Sequence, residues 1–136
     1  MKTSRQALGA WGEDQAVAYL EKLGYAVIDR NARTLYGEID LVARQELTGD
    51  TIAHGDENDT QTMIVFVEVK TRTSVKFGFP EQAVNSRKQE HMLASAEAYL
   101  QSHPELEDDW RVDVIAVQRF RSGRPVEIVH FENALT

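Results

Sequence analysis

The 136-residue chain contains no cysteine, which excludes both a disulfide framework and a cysteine-ligated zinc site. It also lacks a long hydrophobic run, because even residues 63–67, the longest aliphatic-aromatic stretch without alanine, are far too few to cross a bilayer. No apolar stretch of the signal-peptide type follows Met1. By elimination, we expect a soluble cytoplasmic protein.

Two recognisable nucleotide-binding motifs are also missing. The chain has no Gly-rich phosphate loop of the Walker type and no dinucleotide-binding fingerprint, so nucleotide-driven chemistry is not expected. Its histidines show no metal-ligand spacing with one another. Surface or core placement explains all four of them: His54, His91, His103 and His130.

The net charge of −7 at pH 7 argues at first against a nucleic-acid partner, since phosphate binding requires a basic surface. The acidic residues, however, are concentrated in residues 45–61, which contain no Lys or Arg, and in residues 103–109. The rest of the chain is therefore slightly basic. An ordinary mixed surface explains this distribution equally well, and charge alone does not decide between the two interpretations.

Charged residues nevertheless occur inside two apolar segments that are typical of strands, Gly-Glu-Ile-Asp at 37–40 and Val-Glu-Val-Lys at 67–70. Side chains two apart in a strand point to the same face, so Glu68 and Lys70 share one side. Buried charges are costly unless they are paired or bind a metal. Asp40 on one strand beside Glu68 and Lys70 on the next would hold a divalent cation and a proton-transfer group together, which suggests phosphodiester cleavage.

This hypothesis assigns a role to each residue. Asp40 and Glu68 would bind Mg²⁺ or Mn²⁺, which take oxygen ligands, and Lys70 would orient or deprotonate the attacking water. Glu13, at the edge of the first helix, would complete the metal shell; alternatively, it is a favourable acid near a helix N-terminus. The competing interpretation is a Glu68–Lys70 surface ion pair worth about 0–1 kcal/mol, with Asp40 as a turn or edge residue.

The order of predicted elements is α-β-β-β-α-β-β, which indicates an α/β fold around a mixed sheet of about five strands. Helices are expected over about 4–23 and 86–102, the first ending at Gly24 and the second before Pro104. Strands are expected at 25–29, 36–43, 63–71, 112–120 and 126–131. We expect turns at 30–33 and 121–125 and a loop over 44–62. A single domain over residues 1–136, with an acidic loop insert at 45–61, follows from the length and from the absence of repeats.

Taken together, the motifs resemble those of the YraN-like family of small bacterial proteins. The resemblance covers nearly the whole chain apart from the acidic insert. It rests on Gly12, Glu13, Ala16, Leu20, Gly24, Tyr25, Arg30, Asn31, residues 37–42, residues 66–72, Phe77, Gly78 and Lys88.

That family is in turn similar to the PD-(D/E)XK nuclease superfamily, which includes archaeal Holliday-junction resolvases. The resemblance implies a restriction-endonuclease-like sheet flanked by helices and Mg²⁺- or Mn²⁺-dependent hydrolysis of DNA. It places Asp40, Glu68 and Lys70 in the catalytic motif and Glu13 as an extra metal ligand. One position departs from the pattern, because Ile39 stands where the motif has proline.

Several further charged residues are candidates for binding or for structural pairing. Arg33, Arg72 and Lys88 are candidate phosphate contacts, with solvated surface charge as the alternative. Glu38 should face the same side as Asp40, and it would either contact the metal or pair with Arg33 or Arg72. For Asp113, a lone acid in the fourth strand, we expect a buried ion pair with a neighbouring arginine.

The sequence therefore predicts a metal-dependent nuclease that acts on DNA, with branched or structured DNA as a candidate substrate and a homodimer as a candidate assembly. The alternative is a non-catalytic module that keeps the nuclease fold and binds nucleic acid or protein. A structural adaptor that recruits a basic partner through the acidic insert is a third interpretation.

Overall fold

In a computed structural model, residues 3–48, 60–73, 86–120 and 123–135 are described. Within these ranges no helix is long and apolar enough to cross a membrane. The elements in chain order are α1 (Ser4–Lys22), β1 (Ala26–Thr34), β2 (Gly37–Thr48), β3 (Thr60–Arg72), α2 (Ser86–Ser102), β4 (Asp109–Gln118) and β5 (Glu127–Phe131).

The boundaries of α1 follow from its terminal residues. Thr3 caps the N-terminus, because its side chain accepts a hydrogen bond from the backbone N–H of Gln6 while the Gln6 side chain accepts one from the Thr3 N–H. At the other end Gly24 takes a φ of 95°, a conformation that glycine adopts without strain. The Tyr25 N–H then bonds to the Leu20 carbonyl, which closes the helix and starts β1.

The five strands form one mixed sheet in the order β1-β2-β3-β4-β5. The β3–β4 pair is parallel and the other neighbouring pairs are antiparallel. The chain segment between β3 and β4 includes α2, as a parallel connection requires. The predicted α/β class with a five-stranded mixed sheet is confirmed and is consistent with a restriction-endonuclease-like fold.

Alternation along the strands directs side chains to two separate cores, one on each face of the sheet. On one face the buried residues of α1, such as Leu20, pack with Leu41 and Val65. On the opposite face Ala96 and Tyr99 of α2 pack with Phe66. The protein is therefore a sheet between two helices, with β3 central and buried from Ile64 to Val67.

The prediction of a turn at residues 30–33 is wrong, because β1 continues through them to Thr34. Arg30 pairs with Leu41, Ala32 with Ile39 and Arg33 with Glu38. Pairing with β2 outweighs the low strand preference of these polar residues. The chain instead reverses just before Gly37, whose φ of 144° is also accessible mainly to glycine.

The prediction of a continuous loop over 44–62 is also wrong at both ends. Residues 44–48 of β2 pair with residues 60–64 of β3, with Thr48 opposite Thr60. The central part of the predicted acidic insert, residues 49–59, lies outside the described residues. The fourth strand begins to pair at Asp109, earlier than predicted, and it ends at Gln118. Of the predicted turn at 121–125, residues 121–122 also lie outside the described ranges.

The close approach of α1 to β3 provides a test of the packing. A Cβ added at Gly12 would overlap Thr71 Oγ1, whereas one added at Gly9, in the same helix, would meet nothing within 4 Å. We expect Gly12→Ala to destabilise the fold by about 1–3 kcal/mol through overpacking. Gly9→Ala should stabilise it by up to about 1 kcal/mol through helix propensity. Urea unfolding of the two variants checks this, and equal stability of the pair would contradict the packing.

Candidate active site

The candidate site lies where β2 and β3 separate. Their pairing runs from Thr48 opposite Thr60 to Leu41 opposite Val67. One residue beyond the last pair, Asp40 Oδ2 accepts a hydrogen bond from the Val69 backbone N–H at 2.8 Å. The carboxylate therefore occupies the gap between the two strands.

Glu68 and Lys70 lie on the α2 face of β3, as the alternation predicts. Lys70 Nζ is 3.1 Å from Glu68 Oε1 and donates a hydrogen bond to it. Lys70 as a whole residue is only 9% exposed. A buried ammonium is costly for folding even with Glu68 as its carboxylate partner, which makes Lys70 a candidate functional group rather than a surface ion pair.

The electrostatics of Asp40 show that the acidic side chains act on one another. Burial, together with the charges of Glu68 and Glu13, raises the pKa of Asp40 to about 8, although the Val69 hydrogen bond opposes the shift. Two carboxylates that repel each other in a partly buried site favour a proton or a cation between them. Asp40 and Glu68 therefore act as one electrostatic unit.

Glu13 adds negative charge at Asp40, but the ion-pair partner of its carboxylate is Arg30. Its Oε1 is 3.8 Å from Arg30 Nη2, which also contacts Asp14 at 2.8 Å. In the described part of the chain no group of three His, Asp or Glu side chains is close enough together to hold one ion. Two carboxylates that leave positions for water and phosphate are a ligand set that fits Mg²⁺ or Mn²⁺. Ligation by Glu13 stays a prediction.

The predicted phosphate-binding residues divide into two groups. Lys88, in the first turn of α2, lies close to Lys70 and Glu68, and contact with the Lys70 ammonium lowers the pKa of Lys88. Arg72 adds positive charge at Lys88 and donates a hydrogen bond to the Thr71 carbonyl.

Arg33 and Glu38 lie instead near the end of the β1–β2 hairpin. The Arg33 side chain is 90% exposed, and its Nε is 3.8 Å from Glu38 Oε2. Of the two roles expected for Glu38, a structural ion pair with Arg33 is the one that this contact supports.

A cavity of about 350 Å³ adjoins the acidic pair, and the sequence did not indicate it. Phe66 and Val112 lie on its sheet side and Met92 and Ser95 on its helix side; Glu68, Lys88, Arg87, Tyr36, Gly37, Glu38, Ile39, Val67 and His91 complete the lining. Gly37 and Ser95 face each other across the wall, since a Cβ at Gly37 would stand 3.4 Å from Ser95 Oγ, an ordinary contact distance. A feature of the sequence that could have indicated the cavity is Ser95, a small polar residue on the apolar stripe of α2.

The remaining buried charges lie on the α1 face of the sheet and form a hydrogen-bonded network. Asp113 is 0% exposed and accepts hydrogen bonds from Arg111 at 2.9 Å and from the Asn133 N–H at 2.9 Å. The third partner of its carboxylate is His130 Nε2 at 2.7 Å, and His130 Nδ1 is 3.1 Å from the Tyr19 hydroxyl. The predicted ion pair between Asp113 and a neighbouring arginine is confirmed.

Comparison with other proteins places the chain among close relatives of similar length. The sequence pattern of the uncharacterised protein family UPF0102 matches residues 12–117. A "UPF0102 protein" of Syntrophotalea carbinolica is 40% identical over 134 residues, 98% of this chain and 95% of the relative. Another, of Alkaliphilus oremlandii, is 44% identical over 93% of this chain and 96% of its own length. A third, of Desulforamulus reducens, is 37% identical over 99% of this chain and 100% of its own length.

Proposed function

Because the chain belongs to the uncharacterised protein family UPF0102, whose name states no activity, we propose its function from the site: metal-dependent hydrolysis of phosphodiester bonds in DNA. The observation that carries the proposal is the convergence of Asp40, Glu68 and Lys70 where β2 and β3 separate. The resemblance of these residues to the PD-(D/E)XK motif supports the same chemistry.

The two carboxylates would hold Mg²⁺ or Mn²⁺, which, when bound, offsets charge on the scissile phosphate and lowers the pKa of the attacking water. The hydrogen bond from the Val69 N–H fixes the orientation of the Asp40 carboxylate before a cation binds. Glu68 is oriented by its hydrogen bond to Lys70.

Lys70 Nζ would take a proton from the attacking water or stabilise the negative charge that develops at the phosphate. Its position 3.1 Å from Glu68 Oε1 puts the ammonium beside the proposed metal ligand. Lys88 and Arg72 extend the positive charge from this point, and they would contact the phosphates on either side of the scissile bond. These roles account for a buried lysine that folding alone does not favour.

The test is cleavage of a panel of DNA substrates by the purified full-length protein. Duplex, single-stranded, flap and four-way DNA are incubated with Mg²⁺, Mn²⁺ or EDTA. We expect metal-dependent products from at least one substrate and their loss in Glu68→Gln and Lys70→Ala. Glu46→Gln is the matched control, because Glu46 is an exposed acid on β2 away from the site, and it should leave cleavage unchanged.

The controls separate a true activity from a contaminant. Cleavage that persists in both Glu68→Gln and Lys70→Ala would show that another enzyme or another site is responsible. Salt-dependent DNA binding with no cleavage in any metal would instead favour the non-catalytic nucleic-acid-binding module.

A further inference from the structure

The cavity beside the acidic pair has features that metal binding and proton transfer do not require. The buried ring of Phe66 contributes to the lining, and Val112 and Met92 make its surroundings apolar. A volume of about 350 Å³ is within the range of sites that enclose small organic ligands. A hydrated ion would gain nothing from such a lining.

Ser95 provides an independent indication of a ligand. The residue is 3% exposed and lines the cavity, and no hydrogen bond of its hydroxyl is found among the described residues. The hydroxyl is therefore open to a molecule in the cavity and is not occupied by a described protein group. Since a hydroxyl both donates and accepts, Ser95 suits a heterocycle edge that carries both kinds of group.

The position of the cavity connects this ligand to the proposed chemistry. Glu68 belongs both to the cavity lining and to the acidic pair, and the exposed residues Lys88 and Arg87 line the same cavity. A planar ring inside the cavity would therefore carry an attached phosphate outward, past two cationic side chains, towards Glu68. The half-exposed ring of Tyr36 at the hairpin end of the cavity offers a further stacking surface.

We propose that the cavity between β3 and α2 binds a single unstacked nucleobase adjacent to the scissile phosphate. The inference rests on the proposed nuclease function for its choice of ligand. It narrows the substrate class to DNA in which a base is unpaired or easily extruded, as at single strands, flaps and branch points, because a base cannot enter such a pocket while stacked in a duplex.

The direct test needs neither metal nor cleavage. The full-length protein in EDTA is titrated with each of the four deoxynucleoside 5′-monophosphates while its backbone amide NMR signals are recorded. 2-Deoxyribose 5-phosphate serves as the probe that lacks a base. We expect saturable shifts at Phe66, His91 and Ser95 with at least one nucleotide and none at these residues with the sugar phosphate.

Variants on α2 identify the cavity as the site. Ser95→Leu fills the cavity and should weaken nucleotide binding about 10-fold or more, as expected for the loss of base stacking. Ser102→Leu, on the exposed part of the same helix, is the matched control and should not change it. If Ser95→Leu does not fold, as judged by circular dichroism, Ser95→Ala removes only the hydroxyl and should weaken binding of the preferred base.

The outcomes distinguish this inference from the nuclease proposal. No shifts with any nucleotide, or equal shifts with the sugar phosphate, would overturn the base pocket even if DNA cleavage is observed. Base-dependent shifts in a protein that cleaves no DNA would support the base pocket and contradict only the nuclease proposal. If the protein cleaves DNA, a substrate with an abasic position next to the scissile phosphate should be cleaved about 10-fold more slowly, because the stacking energy of the missing base is lost.

Discussion

Asp40→Asn is expected to stabilise the metal-free protein and at the same time to slow DNA cleavage strongly. Burial and the neighbouring carboxylates raise the pKa of Asp40 to about 8, whereas an aspartate in the unfolded chain has its ordinary pKa of 3.8. Between these two pH values the folded state binds more protons than the unfolded state, so this group makes the protein less stable as the pH rises. Asparagine removes the charge and can still accept the Val69 hydrogen bond.

The stability effect should therefore depend on pH. Near pH 4 the free energies of unfolding of wild type and Asp40→Asn should be similar. Above pH 8 that of the variant should be higher by on the order of 2 kcal/mol. This is less than the full pKa difference implies, because the site is partly exposed and the shift is shared with Glu68. Urea unfolding in EDTA at several pH values measures this, with Glu46→Gln as the control from the same strand. An Asp40→Asn protein that is no more stable than wild type at pH 8.5 would contradict the account of the acidic pair.

The loss of activity is the larger consequence of the same substitution. Without the Asp40 carboxylate, charge stabilisation at the phosphate should be lost, and the cleavage rate should fall about 10³-fold. A gain in stability together with a loss of activity is expected of a site in which like charges are held together for function. Initial cleavage rates on the best substrate of the panel give the measurement.

Asp113→Ala is expected to destabilise the fold by about 3–5 kcal/mol, since it leaves the buried Arg111 guanidinium without its main partner. Arg111 also donates a hydrogen bond to Tyr25, and His130 connects Asp113 to Tyr19. One carboxylate thus ties β4 and β5 to α1. Chemical denaturation measures the effect, and Asp109→Ala, at the exposed start of β4, is the control that should cost much less.

The Asp113 network should also respond to acid. Burial alone would raise the pKa of Asp113, but hydrogen bonds from His130 and Arg111 outweigh it and hold the pKa below its usual value. The network therefore stabilises the protein above the unfolded pKa of aspartate, and this contribution is lost as the pH falls through the folded pKa. Wild type that loses no more stability than Asp113→Ala on acidification would contradict this.

Much of the fold could be predicted because local patterns and tertiary structure agree. The helix over residues 86–102 and the alternation of Glu68 and Lys70 against Val67 and Val69 are set by local periodicity. The failure at residues 30–33 has a physical cause: Ala32 is buried by α2 and β2, and only the sheet makes that polar segment a strand. No local signal encodes the partner of a strand.

The candidate site was only partly accessible to sequence reasoning. Strand alternation places Glu68 beside Lys70, but the position of Asp40 depends on where β2 and β3 separate, which is a property of the assembled sheet. The cavity could not be predicted, because it forms between α2 and β3 from residues far apart in the chain, such as Gly37 and Ser95. Likewise, nothing in the sequence around His130 indicated its contact with Asp113.

Calorimetric titration of Mn²⁺ into the full-length protein tests the central claim most directly, because it requires no knowledge of the substrate. We predict saturable binding to wild type that is lost in Asp40→Ala and retained in Glu46→Gln. Absence of binding to wild type, or binding of equal affinity to Asp40→Ala, would contradict a cation site built on Asp40 and Glu68.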